Sequence, residues 1–176
     1  MLVSVYRLVF LTLPAHCLLY PRDSPTRSSK SLDGVWTLKL SPRHDQEQGF
    51  RESWFTGPLS SRGDCHEMPV PASYNDITTN TTVRDHLGWA WYDTQFYVDP
   101  GWETSRVLVR LGSVHYNAIV YINGELVTEH SGGHLPFQAE VSDVLKYSAK
   151  VIMLNINQYY FNLVYSTVQY DLLRTS

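Results

Sequence analysis

The sequence predicts an all-β fold, an antiparallel sandwich of either jelly-roll or immunoglobulin type, on three observations. Short runs alternate apolar and polar residues, as half-buried strands do. Turn residues punctuate those runs at close spacing. Almost no stretch repeats its apolar residues at helical period, so helices are expected to be few and short. The 176 residues are enough for one domain with a sizeable core.

Taken in order, residues 1–19 read as a weak leader. Leu8 to Leu13 is apolar after the single Arg7, and Pro14-Ala15-His16-Cys17 breaks the run without a small-x-small cleavage site. The run is too short to span a membrane. Tyr20 to Ser31 is polar, with Pro21 and Pro25, and reads as an extended lead-in. Asp33-Gly34 turns into a first strand, with Trp36, Leu38 and Leu40 facing inward. Ser41 to Trp54 is polar enough for a short helix near Phe50 and Trp54, and Gly57 to Asp64 is loop. Pro69 and Pro71 forbid a central strand between Met68 and Asp76, which reads as an extended segment with Asp76 as an Asx-turn acceptor. Residues 76–87 form a threonine-rich surface excursion.

Gly88 to Val98 is the next strand. Tyr92, Thr94, Phe96 and Val98 share one face; Trp89, Trp91, Asp93, Gln95 and Tyr97 share the other. Arg106 to Leu111 alternates with Val107, Val109 and Leu111 on one side. His115 to Ile122 is apolar at nearly every position, as a strand covered on both faces would be. Asn123-Gly124 supplies two positive-φ positions for a type I′ turn into a return strand, Glu125 to His130. Ser131-Gly-Gly-His-Leu-Pro-Phe137 is a shaped loop, Val141, Val144 and Leu145 anchor one helical turn, and Lys150 to Asn157 is a further strand.

Composition excludes several classes. A net charge of −3 with no block of like charges argues against a nucleic-acid partner. Cys17 and Cys65 form neither a disulfide framework nor a metal knuckle. His130 and His134 are four apart, but Gly132-Gly133 rules out the helix that would align them on a metal. There is no nucleophile elbow and no phosphate loop, so no cofactor is expected.

Five motifs carry a resemblance: Leu32-Asp-Gly-Val-Trp36, Pro69-Val-Pro-Ala-Ser-Tyr-Asn-Asp76, Gly88-Trp-Ala-Trp-Tyr92, Tyr121-Ile-Asn-Gly124 and His130-Ser-Gly-Gly-His-Leu-Pro-Phe137. In this order they resemble the amino-terminal, sugar-binding domain of the β-glucuronidases in glycoside hydrolase family 2. The resemblance implies a galactose-binding-domain-like jelly roll over residues 20–158, incomplete at its C-terminal end, and a divergent tail over 159–176. It also implies a truncated protein: the immunoglobulin-like middle domain and catalytic barrel lie beyond Ser176. A barrel takes about 250 residues, and the family's two catalytic glutamates sit there. No catalytic residue is therefore expected in this chain. A secretory or lysosomal location follows if the leader works, and a cytoplasmic one if it does not.

The chain departs from the family at Ser131 and His134, where the usual motif is His-Glu-Gly-Gly-Tyr, and at Gln158, where a second asparagine is usual. Asp33, Asp76, Asp85, Glu125, Glu129 and Glu140 are scattered over turns and strand ends and read as solvated or capping groups. For carbohydrate, the candidates are Trp89 and Trp91 as a stacking face, with His134 and Phe137 as walls of the glycine loop. The plainer reading of each is core packing, with Leu135 and Phe137 plugging the interior. Asn80-Thr81-Thr82 is a glycosylation sequon in a loop. Expected partners are carbohydrate or β-glucuronidase-type subunits, reached through sheet edges left open beside the aromatic run Tyr159 to Tyr165.

Overall fold

The computed structural model describes residues 23–132, 135–147, 152–160 and 170–175. The expected leader, Cys17 and His134 lie outside them. Ten strands are described: β1 (Arg27–Ser31), β2 (Gly34–Leu40), β3 (His66–Val70), β4 (Gly88–Phe96), β5 (Arg106–Leu111), β6 (Asn117–Ile122), β7 (Glu125–Ser131), β8 (Phe137–Glu140), β9 (Ile152–Tyr160) and β10 (Tyr170–Thr175). They form a four-stranded sheet in the order β1-β10-β5-β8 and a six-stranded sheet in the order β3-β2-β4-β9-β6-β7. Neighbours pair antiparallel throughout, in an antiparallel sandwich of jelly-roll type.

Alternation puts one face of each sheet into a shared core. Trp36 and Leu38 of β2, Tyr92 and Phe96 of β4, and Val120 and Ile122 of β6 come from the larger sheet. Val107, Val109 and Leu111 of β5 and Phe137 of β8 meet them from the smaller. The single turn expected near Val141 closes one end: Val144 and Leu145 both donate to the Val141 carbonyl, and Leu145 is buried. The Asn123-Gly124 hairpin has φ of 52° and 85°, the left-handed positions a type I′ turn requires.

Pro69 sits where its chemistry allows it. Among the described strands β3 pairs only with β2, at the rim of the larger sheet, so the missing N–H breaks no ladder there. The short helix expected near Phe50 is α1 (Gln48–Arg51), followed by a 3-10 turn at Trp54–Thr56 and another at Leu59–Arg62. Strand β9 runs through the expected boundary at residue 158, and β10, from within 159–176, lies between β1 and β5.

Two local expectations are corrected. Asp76 lies in the first turn of helix α2 (Tyr74–Ile77). The Asx-type cap is instead Asn80, whose Oδ1 accepts from the Thr82 N–H at 2.9 Å at the head of α3 (Thr81–Arg84). Leu135 is 64% exposed and plugs nothing, whereas Phe137, 7% exposed, turns inward.

Candidate functional site

The geometry of the aromatic face of β4 follows from a second layer packed against it. The outer face of the six-stranded sheet is roofed by α1 and the two 3-10 turns, which form a small core of Trp54, Leu59, Trp91 and Tyr121. Phe50 of α1 points its ring edge-on at both tryptophans, 5.2 Å from Trp89 and 5.0 Å from Trp91. Trp54 meets Trp91 at 5.7 Å and 64°. These are the tilted contacts that aromatic quadrupoles favour. The Trp91 indole donates to Ser41 Oγ at 3.2 Å, so its polar atom is satisfied within the chain.

Trp91 is fully buried and offers no face to a sugar. Its partner is this chain's own helix and turns, and the expected stacking platform is corrected accordingly. Trp89 is only half-buried, at the rim of the cluster. Phe137 is also closed off: it is 7% exposed and stacks on His130 with centroids 4.3 Å apart. It belongs to the core between the sheets, whereas Trp91 lies on the opposite face of the six-stranded sheet. Of the expected carbohydrate residues, Trp91 and Phe137 therefore do not converge, and His134 lies outside the described residues.

Polar contacts also hold this roof in place. Lys39 is buried, holds its ammonium 4.8 Å from the Trp54 ring centroid, and donates to the carbonyls of Gly63 at 2.6 Å and Arg62 at 3.2 Å. It pins the second 3-10 turn onto β2. Arg43 likewise donates to the Asp85 carbonyl, and His86, buried, shares a hydrogen bond with the Trp89 carbonyl. Burial holds the His86 imidazole below its ordinary pKa, which favours the neutral ring. An open groove of about 700 Å³ runs past Lys39, Arg43, Arg62, His66, Asn80 and His86.

Beside it lies a group the sequence reading did not single out. Asp93 of β4 is 3% exposed, and Oδ1 has no hydrogen-bond partner among the described residues. Burial pushes its carboxyl above the ordinary value, against the opposing pull of hydrogen bonds from the Leu59 N–H and the Thr37 hydroxyl. Asp93, Thr37, Ser60, Thr94 and Gln95 line a polar pocket of about 320 Å³. The available signal was an acidic residue on the same strand face as Trp91, at a spacing of two.

Three other carboxylates are held in ion pairs with arginine. Asp45 pairs with Arg51, Asp85 with Arg84 at 2.7 Å, and Glu140 with Arg106 at 2.9 Å. The arginine beside each of the first two holds its carboxyl below the usual range. Among the described residues, no three His, Cys, Asp or Glu side chains gather as a metal site.

The fold is a two-sheet antiparallel sandwich with a second small core on its outer face. The sugar-binding-domain model of glycosyl hydrolases family 2 matches residues 29–172, and the chain belongs to that family. It is 42% identical to the β-glucuronidase of Canis lupus familiaris and 39% to that of Homo sapiens, each over 132 residues. Both alignments cover 73% of this chain and 20% of the relative, so the chain spans about a fifth of these proteins. Among solved structures, an uncultured Clostridium sp. β-glucuronidase superposes with a TM-score of 0.78 at 34% identity, over 90% of this chain and 30% of that one. A Ruminococcus gnavus β-glucuronidase in complex with D-glucuronic acid superposes with a TM-score of 0.76 at 26% identity, over 89% of this chain and 31% of that one.

Proposed function

We propose that these residues form the non-catalytic sandwich of a β-glucuronidase-like protein and do not themselves hydrolyse glycosides. One observation carries this reading. Retaining hydrolysis needs two carboxyl groups about 5 Å apart, one as nucleophile and one as acid/base. Asp93 is the one described carboxyl that burial perturbs toward acid behaviour, and the lining of its pocket holds no second carboxylate. The module's role is then scaffolding, and any glucuronide-splitting activity belongs to residues other than these.

Incubating the purified 176-residue chain with a chromogenic β-D-glucuronide tests the proposal. No turnover above the blank is expected. A rate abolished by Asp93→Asn would overturn it.

A second reading, pairing with β-glucuronidase-type subunits, has one observation in its favour. Strand β7 lies at the rim of the larger sheet, paired only with β6 among the described strands, and its Leu126 is 55% exposed. Co-purification with a full-length β-glucuronidase checks it, and failure to associate counts against it. A third reading, a free-standing carbohydrate-binding module, keeps only Trp89 of the aromatic platform, because Trp91 is buried. Titration with glucuronic acid up to millimolar concentration, giving no heat, would end that reading.

A further inference from the structure

Asn80-Thr81-Thr82 is the single Asn-x-Ser/Thr triplet in the chain, and nothing in the scaffolding role uses it. Its local geometry separates the two ends of the Asn80 amide. Oδ1 accepts from the Thr82 N–H at 2.9 Å, while Nδ2 makes no hydrogen bond among the described residues. The residue is exposed, on the excursion between β3 and β4. An N-linked glycan is bonded to Nδ2 and leaves the amide carbonyl in place, so the cap to Thr82 survives the modification.

The surroundings give such a glycan room and something to cover. Asn80 borders two open grooves, of about 700 and about 720 Å³. The second runs along His66, Glu67, Met68 and Pro69 of β3. That strand pairs with β2 alone among the described strands and is the rim of the six-stranded sheet. Rim strands present unpaired backbone groups on which another chain can build, and they are commonly blunted by proline, charge or a covering element. Pro69 and Glu67 blunt this one only in part.

We propose that Asn80 carries an N-linked oligosaccharide lying along the groove over β3, where it shields the rim of the larger sheet. The donor is an oligosaccharide on a polyprenyl diphosphate. Nδ2 bonds to the anomeric carbon of its first N-acetylhexosamine, and the bond from that carbon to the diphosphate breaks. The polyprenyl diphosphate leaves with the bonding electrons, and the amide proton passes to a base of the transferase. Nothing is oxidised or reduced. Thr82 supplies the hydroxyl that the acceptor triplet requires, and Thr81 is the free middle position.

The full chain expressed in secreting animal cells provides the test. Treatment with an amidase specific for N-glycans should increase its mobility and leave Asp at position 80 in the tryptic peptide. The shift should vanish in Asn80→Gln and Thr82→Ala and persist in Thr82→Ser and Thr81→Ala. The last two variants separate loss of the acceptor from damage to the loop. An unshifted wild-type chain, or a shift that survives Asn80→Gln, overturns the proposal. On the folded glycoprotein, enzymatic removal of the glycan should speed amide exchange at His66–Val70 severalfold and leave β5 unchanged. Equal exchange at β3 with and without the glycan overturns the shielding role.

Discussion

Gly49 of α1 lies so close to Trp91 of β4 that a Cβ added to it would stand 2.4 Å from Cε2 and Cζ2 of the indole. The roof of the outer face rests on that contact. With no side chain at Gly49, the helix settles onto the ring, and Phe50 and Trp54 close around it. A hydrogen atom in place of a methyl group is what makes the aromatic face of β4 a small core instead of a surface.

Gly49→Ala is therefore expected to destabilise the fold by about 1–3 kcal/mol, the usual cost of overpacking a closed site. Because Trp91 is backed by a strand, the helix must lift. Thermal melts should show a lower Tm with red-shifted tryptophan emission. An unchanged Tm would mean that α1 does not rest on Trp91.

Trp91→Ala should cost about 3–5 kcal/mol, as truncation of a buried aromatic does. Trp89→Ala should lose the edge contact with Phe50, worth about 1 kcal/mol, and a smaller buried area. Denaturant titration of the two variants reads the difference. Equal costs would contradict the arrangement, in which one ring is enclosed and the other is at the rim.

Asp93 predicts a pH dependence whose sign is set by burial. Its folded pKa is raised, so the folded protein holds the proton more tightly than the unfolded chain does. That contribution is fully present below the ordinary carboxyl value of 3.8 and is lost as pH rises through the raised value. Asp93→Asn, isosteric and always neutral, should gain stability relative to wild type across that rise. Melts of both proteins at a series of pH values should diverge toward neutrality, and parallel curves would refute the assignment.

Gly124 sits at φ 85°, and a Cβ there would meet Thr56 Cα at 3.6 Å, ordinary contact. The penalty of Gly124→Ala is thus backbone strain, about 1–2 kcal/mol. Asn123→Gly should cost less, about 0.5–1.5 kcal/mol: glycine accepts its φ of 52° freely, and what is lost is the hydrogen bond from Asn123 Nδ2 to the Val144 carbonyl at 2.9 Å. Equilibrium unfolding of the two variants tests that order.

Much of the fold was legible along the chain, because strand alternation and turn chemistry are local. The two faces of β4, the Asn123-Gly124 hairpin and the rim position forced on β3 by Pro69 all follow from residues a few positions apart. The family motifs, spread from Leu32 to Phe137, were legible in the same way. The candidate site was not, because alternation says that Trp89 and Trp91 share a face without saying what stands opposite. Only tertiary structure places α1 there, sets Phe137 on the other side of the sheet from Trp91, and leaves Asp93 over a polar pocket. Burial is a property of contacts between segments far apart in the chain, and no local period encodes it.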